Sequence, residues 1–396
     1  MSVTEAFDVA VIGGGPSGAT AATALARQGY SVLLLDRPGR IKPCGGAVPP
    51  RLINDFAVPD ELICARIASA RMISPSNAKV DMPIDGGYVG MVNRETFDEW
   101  LRDRAALAGA HRRNGVFLSL SREDGAPLIS YKLQGEDAAR SVRARIVIGA
   151  DGANSGVARD AMPKESKLPF VFAYHEIVRA PSEATADYDG TRCDVYYQGK
   201  LSPDFYAWVF PHGETASVGM GSAHKGFSLK EATAAARAAA GLEHAETIRR
   251  EGAPIPLKPR KRWDNGKDVI LIGDAAGVVA PASGEGIYYA MVSGEMAADA
   301  VDQCLRTGDA RALANARRTF MKAHGRVFWI LRMMQYFWYR NDKRRERFVK
   351  ICRDPDVQRL TWQAYMHKEL VRSDPMAHVR VFFKDLAHLF GLVSPR

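Results

Sequence analysis

The strongest constraint lies near the start of the chain, where Gly13-Gly14-Gly15-Pro16-Ser17-Gly18 follows an apolar run, Phe7 to Ile12, and opens an alanine-rich stretch, Pro16 to Gln28. A second apolar run, Ser31 to Leu35, comes next, so the segment reads strand, glycine turn, helix, strand. In that setting G-x-G-x-x-G is a dinucleotide cradle. Gly13 allows the tight turn, Gly15 lets the backbone approach a pyrophosphate, and Gly18 lets helix and strand pack closely, while the helix N-terminus, with Ser17 in its first turn, faces the anion. Asp36 closes the second strand 18 residues after Gly18, where a carboxylate can bind the adenosine ribose hydroxyls. The fingerprint alone leaves NAD and FAD both open, and a purely structural glycine turn is the plain alternative.

A second piece favours FAD. The apolar run Ala144 to Gly149 ends in Ala150-Asp151-Gly152, and another, Asp268 to Ile272, ends in Gly273-Asp274. Pro281-Ala-Ser-Gly-Glu-Gly286-Ile287 then leads into a long helical pattern. This arrangement puts Asp274 and a helix N-terminus at Gly286 and Ile287 on one side of a cofactor. A flavin needs both: its ribityl hydroxyls require an acceptor, and the N1–C2=O edge of a reduced flavin gathers negative charge that a helix dipole stabilises.

Length and charge frame the rest. A chain of 396 residues exceeds one ordinary core and suits a large interrupted domain with a smaller second one. No run reaches the roughly 20 uncharged apolar residues of a spanning helix, and acidic Glu5 and Asp8 argue against a targeting signal. The five cysteines are scattered without a CxxC pair, so neither a disulfide framework nor a zinc site is indicated, and a cytoplasmic protein is expected. No metal constellation stands out among the nine histidines. The net charge of +9 is concentrated: residues 310–396 hold 19 Lys and Arg against 7 Asp and Glu. Large apolar residues interleave with them from Val327 to Tyr339, which favours lipid or a hydrophobic partner over nucleic acid. Arg340, Lys343, Arg344, Arg345 and Arg347 follow as candidate headgroup contacts, with a solvated helix face as the alternative.

Mixed alternation at Phe170 to Val178, Cys193 to Gln198 and Phe205 to Phe210 predicts an inserted antiparallel sheet, and the last third is expected to be helical to Leu392, broken near Pro355 and Pro375. The expected fold is α/β, an FAD-binding Rossmann-like domain formed by 1–70, 91–160 and 262–310. An antiparallel substrate domain takes 71–90 and 161–261, and a basic, aromatic helical region takes 311–396.

Gly149-Ala-Asp-Gly-Ala-Asn-Ser155, Gly273-Asp274 and the N-terminal glycines resemble the flavoprotein superfamily of aromatic hydroxylases and isoprenoid reductases. Lys42-Pro-Cys-Gly-Gly-Ala-Val48 resembles the cysteine-glycine loop of geranylgeranyl reductases, and Pro203-Asp-Phe-Tyr206-Ala-Trp208-Val-Phe210-Pro211 matches their P-x-x-Y-x-W-x-F-P stretch. With Met91 to Arg104, the resemblance lies closest to the chlorophyll and bacteriochlorophyll branch. It implies NADPH-dependent reduction of a geranylgeranyl chain to phytyl, on the pigment ester or the free diphosphate. It also implies FAD contacts at Cys44, Gly45, Ala47, Arg94 and Val116, with Asp274 at the ribityl or pyrophosphate portion and Gly286 and Ile287 by the isoalloxazine. Asp36 stands where glutamate is commoner in that superfamily.

An isolated alkene carries no electron-withdrawing group, so hydride delivery requires a proton donor and stabilisation of cationic character. Tyr206 and Trp208, at alternate positions of one strand, are expected with Phe210 to line a prenyl channel, the alternative being ordinary core aromatics. Cys44 either relays a proton or packs on the flavin ring. Arg94 either forks onto the cofactor or forms a surface salt bridge. Peripheral association with the cytoplasmic face of a membrane, or with a pigment-synthase partner, is expected. The rival readings are an FAD monooxygenase of a hydrophobic aromatic or polyene, and a prenyl-binding escort without redox chemistry.

Overall fold

The computed structural model describes residues 5–37, 39, 42–165 and 167–368. In chain order the elements are β1 (Ala6–Ile12), α1 (Pro16–Arg27), β2 (Val32–Asp36), β3 (Ala47–Val48), α2 (Pro50–Asp55), β4 (Ile63–Ile67), β5 (Ser69–Ile73), β6 (Lys79–Pro83), β7 (Val89–Val92), α3 (Arg94–Leu107), β8 (His111–Glu123), β9 (Ala126–Leu133), β10 (Ala139–Gly149) and α4 (Gly156–Ala161). They continue with β11 (Phe170–Arg179), β12 (Arg192–Tyr196), β13 (Ala207–His212), β14 (Thr215–Ser222), α5 (Leu229–Ala239), β15 (Thr247–Pro256), β16 (Val269–Leu271), α6 (Ile287–Thr307), α7 (Ala314–Trp338), α8 (Asp342–Ile351) and α9 (Pro355–His367). The chain divides into two compact units. Unit 1 takes Met1–Lys42, Arg94–Phe170 and Pro254–Phe328, and unit 2 takes Pro43–Asn93, Val171–Ala253 and Trp329–Arg396.

Unit 1 is an α/β layer of the expected Rossmann-like kind. Strands β8, β2, β1, β10 and β16 run parallel in that order, with Val9 to Ile12 facing Val32 to Leu35 on one side and Ile146 to Gly149 on the other. Buried on both faces, these strands read as continuous Val, Ile and Leu runs rather than as alternation, and β1 and β2 are accordingly almost fully excluded from water. The long strands β8 and β10 continue past the parallel sheet and pair antiparallel with β9. Helix α1 crosses α6 at a close approach: a Cβ on Gly294 would collide with the backbone oxygen of Ser17.

Unit 2 is built on a seven-stranded sheet in the order β15, β11, β14, β13, β12, β5, β6, with only the β12–β5 pair parallel among the registers described. Alternation gives this sheet two different faces. One carries Ala207 and Val209 of β13 and Ala216, Val218 and Met220 of β14, which pack with Ala232, Ala236 and Ala240 of α5 and the residue after it. The other carries Trp208, Phe210 and His212, the same strand read at the intervening positions. Strand β13 begins at Ala207, so Tyr206 precedes it by one residue instead of opening it. Strands β3, β7 and β4 form a separate small sheet. Because these strands and β5 pair within unit 2, residues 43–70 group there and not with the nucleotide-binding segments to which the sequence boundaries assigned them.

The C-terminal aromatic stripe is divided between core and surface. Phe328, Trp338 and Tyr339 are buried, while Trp329 and Tyr336 are 63% exposed. Arg345 is no surface cation: it is 1% exposed and donates to the carbonyls of Pro203 and Tyr339 and to Asp342, so it is removed from the candidate headgroup contacts. The break at Pro355 is present as the start of α9, with Asp354 as its cap. The break at Pro375 and the helical pieces to Leu392 lie outside the described residues.

The loop before β3 docks on the open face of the large sheet through glycine. Gly46 has φ +71°, a left-handed conformation, and a Cβ there would collide with His212 Nε2 and lie 2.6 Å from Val92 O. His212 donates from Nδ1 to the carbonyl of Phe210 at 3.0 Å. Burial pushes its imidazole down to about 4, from the ordinary 6.5. Folding therefore requires the neutral ring. Stability is fully present above about pH 6.5 and declines as pH falls to about 4, by roughly 3 kcal/mol in all. Denaturant unfolding across that window is expected to lose this component of its slope in His212→Asn, and an unchanged slope would contradict the burial argument.

Candidate active site

The nucleotide cradle lies wholly in unit 1. Gly13 has φ +106°, and a Cβ there would collide with the carbonyl of Ala150 at the end of β10. A Cβ on Gly18 would collide with the carbonyl of Gly13, so the first turn of α1 sits against the strand end only because both residues are glycine. Gly15 is different: nothing lies within 4 Å of its Cβ position, leaving that backbone open to a ligand. It caps α1 with no side-chain bond, and Pro16 follows at the first helical position. The first-turn amides thus face outward over the strand end, an anion site of the kind a pyrophosphate fills. Ser17 is buried and packs beside Gly273, where a Cβ would collide with its hydroxyl.

Asp36 stands at the end of β2, its Oδ2 held 2.9 Å from Arg102 Nη1. Arg102 also grips Glu99, which in turn receives Arg112, so Asp36 is anchored in an ion network that sequence reasoning missed. In the parallel register Asp36 faces Asn114, which places Val116 two residues further along β8. Asp274 follows β16 in a short turn and is 8% exposed. Gly286, the N-cap of α6, has no side-chain cap, and its Cβ position is 3.8 Å from Asp274 Oδ1. Asp274, Gly286 and Ile287 are therefore brought together, as their spacing suggested. By contrast α4, α5, α8 and α9 carry Ser155, Ser228, Asn341 and Asp354 as side-chain caps.

Two side chains here carry more than the motifs revealed. Lys42 places its ammonium 2.5 Å from Asp274 Oδ2, a contact across the fold that no local pattern signals. Asp151 accepts from Ser155 Oγ at 2.6 Å and from the Val157 amide at 3.1 Å. Its burial nevertheless pushes its carboxyl above the ordinary range. Arg94 is buried and forks onto Asp98 at 2.8 and 2.7 Å within α3, so it forms the salt bridge of the alternative reading, in the interior and not at the surface. An open glycine backbone, two helix ends without side-chain caps, and the carboxylates of Asp36 and Asp274 at two strand ends together fit FAD.

Unit 2 holds the rest. Tyr206, Trp208 and Phe210 form a row with ring centroids 6.0 and 6.2 Å apart. Phe205 stacks on Tyr206 at 4.3 Å, and Tyr197 closes from the side at 6.2 Å. The cysteine-glycine loop lies against this row: the Gly45 Cβ position is 3.0 Å from the Phe210 ring, Gly46 sits beneath His212, and Ala47 pairs with Met91. Cys44 is half-buried, and its sulfur accepts the Gly46 amide at 3.4 Å. The two motifs that distinguished reductase from hydroxylase in the sequence are thus neighbours in space. Beneath Trp208 lies Gly219, whose Cβ would be 2.7 Å from the indole, and the indole N–H reaches Ser217. Neither was foreseen, since they become adjacent only through the β13–β14 register.

Among the described residues no group of His, Cys, Asp and Glu could hold a metal ion, and no helix is long and apolar enough to cross a membrane.

Comparison with known proteins accords with this geometry. The model of the FAD binding domain family matches residues 53–319, and that of an NAD(P)-binding Rossmann-like domain matches residues 11–55. A geranylgeranyl diphosphate reductase of Rhodobacter capsulatus is 56% identical over 98% of this chain and 99% of its own length. The chloroplastic geranylgeranyl diphosphate reductase of Oryza sativa is 36% identical over 98% of this chain and 87% of its own. The crystal structure of a geranylgeranyl bacteriochlorophyll reductase-like protein from Thermoplasma acidophilum superposes with a TM-score of 0.80 at 25% identity, covering 94% of this chain and 99% of that one. Full-length similarity at that level, on a cradle shaped for FAD, establishes that the chain belongs to the geranylgeranyl diphosphate reductase family of FAD-dependent oxidoreductases.

Proposed function

We propose that this enzyme reduces the isolated double bonds of a geranylgeranyl chain, borne by (bacterio)chlorophyll or by diphosphate, with NADPH as the source of electrons. The observation that carries the reading is the seating of the Cys44 loop on the aromatic row, Tyr206 to Phe210. FAD, when bound, supplies the hydride. Gly13, Gly15 and Gly18 admit its pyrophosphate to the end of α1, with Ser17 in that turn; Asp36 takes the adenosine ribose, and Asp274 the ribityl hydroxyls. Gly286 and Ile287 present the helix end that favours negative charge on the flavin. Arg94, Gly45, Ala47 and Val116 complete the cofactor contacts. The measurement that tests the substrate is anaerobic: holoenzyme and NADPH are mixed with geranylgeranylated bacteriochlorophyll or with free geranylgeranyl diphosphate, and product mass is followed. Stepwise gain of up to three hydrogen pairs on either is expected, and bound flavin without gain on both would overturn the proposal.

The chain's own residues must then supply a proton and a dry, cation-tolerant wall. Trp208 and Tyr206 offer ring faces to developing positive charge, a contact of about 1–2 kcal/mol in a desolvated site. Cys44, its sulfur steadied by the Gly46 amide, is the proposed proton donor. Trp208→Leu is expected to lower kcat on the order of tenfold and Cys44→Ala to abolish reduction, both with flavin content retained. Normal turnover per holoenzyme in either variant would remove that residue from its role.

We also propose peripheral attachment to the cytoplasmic face of a membrane, or to a pigment-synthase partner embedded in one, through the end of α7. Trp329 and Tyr336 stand two turns apart and are both exposed, and Arg340 and Lys343 follow on the surface. Replacing Arg340 and Lys343 by Ser is expected to weaken sedimentation with anionic vesicles severalfold. Unchanged binding would mean that this helix end is only a solvated face.

A further inference from the structure

The open face of the unit 2 sheet carries a polar chain that the roles above do not use. Trp208 Nε1 lies 3.1 Å from Ser217 Oγ, Ser217 Oγ lies 2.8 Å from His175 Nδ1, and His175 Nε2 lies 2.9 Å from Glu251 Oε2. Arg249 ends the chain as an ion pair, 2.7 Å from the other oxygen of Glu251. The five residues come from four adjacent strands, β13, β14, β11 and β15, and Trp208, Ser217 and His175 are all buried.

One consistent assignment of donors runs the length of the chain. An indole N–H donates and cannot accept, so Ser217 Oγ receives it. With His175 as the Nε2–H tautomer, the Ser217 hydroxyl donates to its bare Nδ1 and its Nε2–H donates to Glu251. Although burial opposes it, the His175 contact and the Arg249 charge hold the Glu251 carboxyl below its ordinary value, so the acceptor at the end of the chain is a carboxylate. Each member thereby fixes the rotor of the next. The indole is held at its N–H edge by Ser217 and packs closely over Gly219, two restraints on its orientation.

We propose that Ser217, His175 and Glu251 are positioning residues that set the orientation of the Trp208 indole, and through it the register in which successive isoprene units of the substrate present their double bonds. The inference rests on the reading of Trp208 as part of the prenyl-binding wall. Its chemical ground is the repetitive substrate: successive isoprene units are closely alike and apolar, so beyond the head group no polar contact along the chain can tell one double bond from the next. Along the chain the shape of the wall must do so, and the shape at Trp208 is set by a buried hydrogen-bond chain whose loss frees the ring.

The test uses flavin-loaded enzyme reduced with dithionite, which removes the question of the natural reductant, and free geranylgeranyl diphosphate. KM and the proportions of once-, twice- and three-times-reduced chains are read by mass. Ser217→Ala is expected to raise KM severalfold and to shift the products from the three-times-reduced chain toward the less reduced ones, while Ser217→Thr, which keeps the hydroxyl, restores both. Glu251→Leu, at the far and more accessible end of the chain, is expected to shift the products in the same direction, and it carries the test if Ser217→Ala does not load with flavin. If Trp208→Leu changes the products while Ser217→Ala and Glu251→Leu match the parent, the positioning role is overturned and the wall stands. If Trp208→Leu also matches the parent, the wall reading itself falls.

Discussion

The structure of unit 1 depends on how closely the first turn of α1 approaches the ends of β1 and β10. That distance is set by atoms that are missing: a Cβ on Gly13 or Gly18 would strike backbone oxygens, and backbone yields far less readily than a flexible side chain. The same helix meets α6 at Gly294, again against a carbonyl. With α1 seated so low, its amides lie directly over the strand ends, and α6 brings its own N-terminus next to Asp274. Packing and cofactor recognition are thus one event. Gly13 and Gly18, which let the helix close, flank Gly15, whose backbone stays open as a pyrophosphate site would require.

Unit 2 solves a different problem with the same economy of alternation. One strand, β13, sends Ala207 and Val209 into the α5 core and Trp208, Phe210 and His212 to the other face. A change of one residue in register would exchange them. The glycines at 45, 46 and 219 then let aromatic rings and a buried imidazole lie flat against backbone, which a hydrophobic pattern alone could not arrange. The polar atoms on this face are satisfied in a chain, as buried polar groups must be, and the chain terminates at a carboxylate that Arg249 neutralises.

Sequence reading captured what is local. The strand–turn–helix at 7–28, the runs ending at Asp151 and Asp274, and the helix start at Gly286 are all coded within a few neighbouring residues, so their existence and nearly their bounds were legible. The identity of the family was also legible, because Cys44-Gly-Gly and P-x-x-Y-x-W-x-F-P are contiguous stretches. What escaped was everything decided by pairing between distant segments. Lys42 finds Asp274 across 232 positions, Arg102 finds Asp36 across 66, and His175 reaches Ser217 and Glu251 only because three strands align. Arg345 read as one more exposed cation in a basic run. It is buried because the carbonyls of Pro203 and Tyr339 converge on it, which no local composition signals.

In the proposed reaction, electrons held on FAD in this cradle are delivered to carbon–carbon double bonds of a prenyl chain. The most direct measurement is a single anaerobic turnover, in which flavin-loaded enzyme, photoreduced and freed of other reductant, is mixed with excess geranylgeranyl diphosphate while absorbance and product mass are recorded together. The flavin is expected to reoxidise, with one double bond gaining two hydrogens for each flavin consumed. A flavin that stays reduced until air is admitted, with oxygen and not hydrogen appearing in the product, would contradict it.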